Sequence, residues 1–148
     1  MPTCTVIANT TASTTKPSEP SSIKAAKTFT GDVWQDKVHQ DPATGFNVNH
    51  VTFLPGARTY WHTHEGGQIL EVKAGSGWVC DSGEKPRRIR TGDIVVCPAG
   101  TRHWHGADDG SMMMHLAISL GKTSWEEEVP AEGYEGRGEK TMTGKGSG

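Results

Sequence analysis

The residues most able to do chemistry lie in two short stretches. "WHTHEGGQ", residues 61–68, holds His62, His64 and Gln68, and "RHWHG", residues 102–106, holds His103 and His105. Successive side chains on a β-strand alternate between faces, so His62 and His64 point to one side, two residues' rise apart. Two imidazoles so placed can chelate one metal ion. Gln68 follows the Glu65-Gly66-Gly67 turn and opens the next run, from which its amide oxygen can return to the same face. A third imidazole has to come from elsewhere, and both His103 and His105 qualify. Three neutral imidazoles and a neutral amide would leave a divalent ion's charge uncompensated, strengthening it as a Lewis acid toward alkoxide, enolate or carboxylate oxygen. Imidazole accepts zinc, copper, iron and nickel, while an amide oxygen and an open octahedral shell also suit manganese. The donor set leaves Mn2+ or Fe2+ as the expected ion, with Ni2+ or Zn2+ as alternatives.

Such side chains need strands to hold them. Apolar and β-branched runs recur at short intervals between turn signals: "FNVNHVTFL", "TYWHTH", "QILEVKA", "GWVC", "RRIR", "IVVCP", "RHWHG" and "MMMHLAISL". That cadence points to an all-β sandwich or barrel. "KTSWEEEV", residues 122–129, reads as a short C-terminal helix, because Thr123 with Glu126, or Ser124 with Glu127, fits a capping box. With 148 residues, 33% of them hydrophobic, the chain suits one core. Its first 22 residues are Thr-, Ser- and Pro-rich and its last 14 Gly-rich. These predict a flexible leader (1–22), one domain (23–134) and a flexible tail (135–148).

Composition excludes several function classes. A net charge of −2 with mixed signs offers no basic stripe for nucleic acid. No apolar run is long enough to span a membrane, and the first residues lack a secretory pattern. Three cysteines, Cys4, Cys80 and Cys97, form neither a metal pair nor an even disulfide set, which suits reduced thiols in the cytoplasm. The expected partner is a small-molecule substrate.

Spacing adds to this. Gly56, His62, His64, Gln68 and Gly75 form one pattern, and Gly92, Pro98, Gly100 and His103 a second. Together they resemble the two motifs of the cupin superfamily, G-x5-H-x-H-x3-4-E-x6-G and G-x5-P-x-G-x2-H-x3-N, with Gln68 in place of the glutamate and Ala107 in place of the asparagine. The resemblance implies a double-stranded β-helix (jelly-roll) barrel with a metal inside it, on a scaffold that forms homodimers or higher oligomers such as tetramers.

"VTFLPGARTYWHTHEGGQ", "GDIVVCPAGTRHWHGA", "MMMHLAIS" and "GKTSWEEEVPAEGY" are similar to a subgroup of small cupins that includes the manganese-dependent hydroxynitrile lyases. Glutamine is the usual fourth ligand there, so the resemblance implies His62, His64, Gln68 and His103 as metal ligands, Mn2+ as the ion and His115, in the "HLAI" run, as general base. Alternation puts Met113, His115, Ala117 and Ser119 on one face, so Ser119 joins His115 in the pocket. Asn49 and Val51 are expected there too, with His50 facing away. The lyases carry glutamine at the position of Ser119 and a small apolar residue at that of Asn49. His105 is expected near the metal ligands or at the pocket's entrance. The implied activity is that of a metal-dependent lyase, or a related eliminase, isomerase or decarboxylase, on a small oxygenated molecule. An iron-dependent dioxygenase and a noncatalytic binding module are the alternatives.

Overall fold

Alternation of buried and exposed residues is the local signature from which the sheets are built. In Met113–Ser119 every second side chain is buried, beginning with Met113. The computed structural model describes residues 2–7, 22–25 and 27–135, so most of the expected leader and nearly all of the expected tail lie outside the described residues. Twelve strands are described: β1 (Ser22–Ala25), β2 (Phe29–Thr30), β3 (Val33–Asp41), β4 (Phe46–Phe53), β5 (Arg58–Thr59), β6 (His62–His64), β7 (Gln68–Asp81), β8 (Arg87–Arg90), β9 (Ile94–Cys97), β10 (His103–Ala107), β11 (Met113–Ser119) and β12 (Thr123–Trp125). A short helix, α1 (Ala131–Glu135), follows.

All pairings are antiparallel, and they make a nearly closed barrel, the one of the two all-β forms allowed by the sequence cadence that the cupin resemblance implied. One sheet runs β1-β3-β4-β11-β7, with β9 on the far side of β7; the other joins β7 to β10, and β10 to β5 and β6. β7 belongs to both. Its first half pairs with β11 and β9, its second half with β10 and β8. The bend between the halves is at Gly75, whose φ is 75° and where a Cβ would lie 1.9 Å from the Met112 carbonyl oxygen. Only glycine fits there. The "GSG" signal at 75–77 therefore bends one strand, where the sequence suggested a turn between two.

One end of the barrel is filled by Val33, Phe53, Val72, Val79, Ile89 and Met113. A second cluster lies around Trp78, Trp104 and Cys80, onto which the C-terminal segment lays Val129 and Tyr134. β10 is consequently buried on both faces: His103 and His105 alternate with Trp104 and Gly106, and all are enclosed.

The helix expected at 122–129 is not there. Thr123–Trp125 instead pair with His62–His64 as β12, and the helix comes later, after Pro130. The physical reason is tertiary. β12 supplies the backbone partners that β6 would otherwise lack on that edge, and the glutamates find partners elsewhere. Glu126 and Glu127 take Arg102 at 2.6 and 2.8 Å, and Glu128 accepts the Thr30 hydroxyl at 2.7 Å. Strands β1–β3 were given no assignment by the sequence cadence, which begins at Phe46. No helix among the described residues is long and apolar enough to cross a membrane. Cys4, Cys80 and Cys97 are free, and burial raises the thiols of Cys80 and Cys97 to about 11.

Candidate metal centre and pocket

His62 and His64 leave β6 on the same side, as alternation requires, and both are buried. β10 lies beside β6 with His103 directly opposite His62. This register brings the third imidazole in, and ligating nitrogens of His62, His64 and His103 lie within 4.8 Å of one another. His105 is two residues farther along, buried and 3.1 Å from His115 through its Nδ1.

Hydrogen bonds fix which nitrogen faces inward. His62 Nδ1 lies 2.8 Å from the Tyr60 carbonyl and His103 Nδ1 lies 3.0 Å from the Thr101 carbonyl. A carbonyl only accepts, so both Nδ1 atoms carry the proton and both Nε2 atoms present lone pairs. His64 Nδ1 meets the Thr123 hydroxyl at 3.0 Å, and its Nε2 is buried without a partner. Gln68 donates its amide N–H to Ser119 Oγ at 3.0 Å, which turns its oxygen toward the histidines.

That oxygen is 3.1 Å from His103 Nε2. With His103 protonated on Nδ1, these are two acceptors facing each other, an arrangement that repels unless a cation lies between them. Two ligands at a right angle on an ion with bonds of about 2.1 Å are separated by roughly 3.0 Å. The residues therefore fit a divalent metal: three neutral nitrogens, one of them otherwise orphaned, and one amide oxygen converge. Burial holds His64 down to about 4 and pushes His62 and His103 below the ordinary imidazole range, with neighbouring imidazoles adding to the effect on His62 and His64. All three are neutral near pH 7, the form a metal requires.

The cavity beside these ligands has a volume of about 100 Å³. Asn49, Val51, His105, His115 and Ser119 all line it, and His50 does not. His115 is fully buried, against Phe53 and His105, and burial holds it down to about 4. Several lining residues were missed by sequence reasoning. Asn47 has the parity of Asn49 and Val51 and could have been found by alternation, whereas Phe29 and Gln35 come from strands the sequence did not signal. Thr123 and Trp125 come from the segment read as helix. Trp125 packs on His62, ring centroids 4.6 Å apart, and on Phe29 at 5.8 Å.

Comparison with known proteins bears on what such a site does. Residues 49–119 match the family described as a cupin domain. The chain is 46% identical over 112 residues to the (R)-mandelonitrile lyase of Granulicella tundricola, covering 72% of this chain and 85% of that one. A cupin-like protein of Thermotoga maritima superposes with a TM-score of 0.75 at 34% identity, over 83% of this chain and 98% of the other. A predicted oxalate decarboxylase from the same organism shares the fold, with a TM-score of 0.62 at 20% identity over 74% of this chain and 100% of its own.

Proposed function

The chain belongs to the cupin family, and on that premise we propose that it is a metal-dependent lyase acting on a small oxygenated organic molecule, by cleavage of a hydroxynitrile or a related elimination, isomerisation or decarboxylation. The observation that carries this reading is the convergence of acceptor atoms without donors: Gln68 Oε1 facing His103 Nε2 at 3.1 Å, beside the unpartnered Nε2 of His64. Similarity to the mandelonitrile lyase supports the reaction class. A divalent ion, Mn2+ in our reading, would supply Lewis acidity that favours the oxyanionic form of a substrate oxygen.

The chain's own residues do the rest. The Tyr60 and Thr101 carbonyls and the Thr123 hydroxyl orient the imidazoles, and Ser119 orients the amide of Gln68. His115 and His105 move the proton. Burial keeps both neutral, so the 3.1 Å bond between them holds one proton, donated by one ring to the other. The donating ring keeps an unspent lone pair at its far nitrogen and the accepting ring an unspent N–H. His115 Nδ1 and His105 Nε2 are those far atoms, and both are buried without partners. A proton taken at one end can therefore be matched by a proton given at the other.

The test is metal content by plasma mass spectrometry for the wild type and His62→Ala, followed by mandelonitrile cleavage after reloading with manganese or iron. Near-stoichiometric metal lost in His62→Ala, with manganese-dependent cleavage, is the expected result. Iron-dependent oxygen uptake without cleavage would transfer the protein to the dioxygenases. In His115→Ala we expect turnover to vanish with metal content unchanged; retained turnover removes His115 from the mechanism.

A further inference from the structure

One wall of the cavity sets several unspent hydrogen-bonding groups among apolar side chains. Register across β7, β11 and β4 sets it out in rows. Gln68, Ser119 and Asn47 are directly paired neighbours, and the next row holds Leu70, Ala117 and Asn49. A third row runs from His115 through Val51 to Gln35 on β3. Ser119 Oγ accepts the Gln68 amide, which leaves its own proton to give. Asn47 donates to the Gly45 carbonyl at 3.2 Å, which leaves its amide oxygen uncommitted. Asn49 Oδ1 is buried with no hydrogen-bond partner at all. An acceptor so placed carries a desolvation cost that a bound donor would relieve.

Phe29 and Trp125, on strands of the other sheet, add aromatic surface to the cavity lining. A ligand suited to this lining has a C–H face and, along one edge, hydroxyl groups. Its other end must offer an oxygen to the histidine-lined end of the cavity.

We propose that the natural substrate is a small aliphatic hydroxy acid, or its carbonyl counterpart, that carries an additional hydroxyl donated to Asn49 Oδ1. This deepens the lyase reading and rests on it: one end of the molecule is anchored at the three histidines, and the second hydroxyl selects it. The carboxamide of Asn49 is thus a specificity-determining group, and an aryl hydroxynitrile, which has no second donor, leaves it unsatisfied.

The test is isothermal titration of the manganese-loaded protein with pairs of probes of equal charge that differ by one hydroxyl: lactate against glycerate, and 2-hydroxybutyrate against 2,4-dihydroxybutyrate. In at least one pair the extra hydroxyl should tighten binding by about 10-fold. Asn49→Leu and Asn49→Ser should each reduce that difference to less than about twofold while the deoxy probe binds as before. Two variants are used so that a folding defect in one, visible as a lowered Tm, does not decide the matter. Binding of lactate and 2-hydroxybutyrate with no gain from the hydroxyl in either pair, or a gain that survives in a folded Asn49 variant, overturns the inference and leaves the metal-site reading standing. No binding of any probe to the metal-loaded protein also overturns the inference, whereas loss of metal binding and of mandelonitrile cleavage is what overturns the lyase reading on which it rests.

Discussion

His64 depends on a hydroxyl where His62 and His103 depend on main-chain carbonyls two residues behind them. The carbonyls cannot be removed by substitution, whereas Thr123 can. Thr123→Val keeps the shape and removes the acceptor, so metal affinity should fall on the order of 10-fold, with Thr123→Ser restoring most of it. Competition with a chelator measures this directly, and unchanged affinity in Thr123→Val would show that the contact does not orient His64. Gln68→Glu tests the charge argument at the same scale. A carboxylate would hold the ion more tightly and lessen its Lewis acidity, so slower metal loss together with lower turnover is expected. Ser119 would then have to donate to the carboxylate in place of accepting from the amide, which its hydroxyl can do.

Strands approach one another closely where glycines permit it. Gly77 on β7 and Gly106 on β10 are register partners, and a Cβ on Gly77 would lie 2.1 Å from the Gly106 carbonyl oxygen and 2.7 Å from Met113 Sδ. Gly77→Ala should therefore cost about 3 kcal/mol, read from urea unfolding, because main chain would have to move. The C-terminal segment is held by a different kind of contact. The Arg58 guanidinium donates twice to the Val129 carbonyl and lies 4.6 Å from the centre of the Tyr134 ring. Tyr134 itself donates to the Ala107 carbonyl at 2.7 Å. Tyr134→Phe should lower stability by about 1–2 kcal/mol, since it strands a buried carbonyl. Because β12 belongs to the same segment and touches His64 and His62, faster proteolysis near residue 125 and faster metal loss should appear together in that variant. Loss of one without the other would separate the segment's packing from the metal centre.

For the molecule as a whole, one partly buried ion pair links pH to stability. Arg88 pairs with Asp108 and also lies 4.4 Å from the centre of the Trp78 ring. Burial alone would raise the Asp108 carboxyl, but the hydrogen bond and positive charge of Arg88, with the Gly110 main-chain N–H, outweigh it and hold the group down to about 2 against an ordinary 3.8. A carboxylate with a lowered folded-state value stabilises the fold above the unfolded value and loses that contribution as pH falls toward the folded one. Stability on the order of 1–2 kcal/mol should accordingly disappear between about pH 4 and 2. Asp108→Asn should be less stable at pH 7 and should lack this part of the acid decline, measured as Tm against pH.

How much of this was legible depends on whether the physics is local. Alternation along a strand is a property of a few consecutive residues, so the sequence alone determined that His62 and His64 share a face, that His115 and Ser119 share another, and that His50 turns away from Asn49 and Val51. Turn-forming residues between β-branched runs likewise determined an all-β fold, sandwich or barrel. Which of His103 and His105 completes the trio was undetermined by parity, because both point the same way. Only the pairing of His103 with His62 across β10 and β6 decided it, and that pairing joins segments about forty residues apart. The same non-local choice overrode a sound capping box at Thr123. A strand edge at β6 in need of hydrogen-bond partners, and Arg102 and Thr30 in reach of the glutamates, outweighed a helix that a few residues could nucleate only at a cost. Phe29, Gln35, Thr123 and Trp125 entered the pocket by that route, since a cavity's walls are set by which distant strands adjoin, and no short stretch of sequence carries that information.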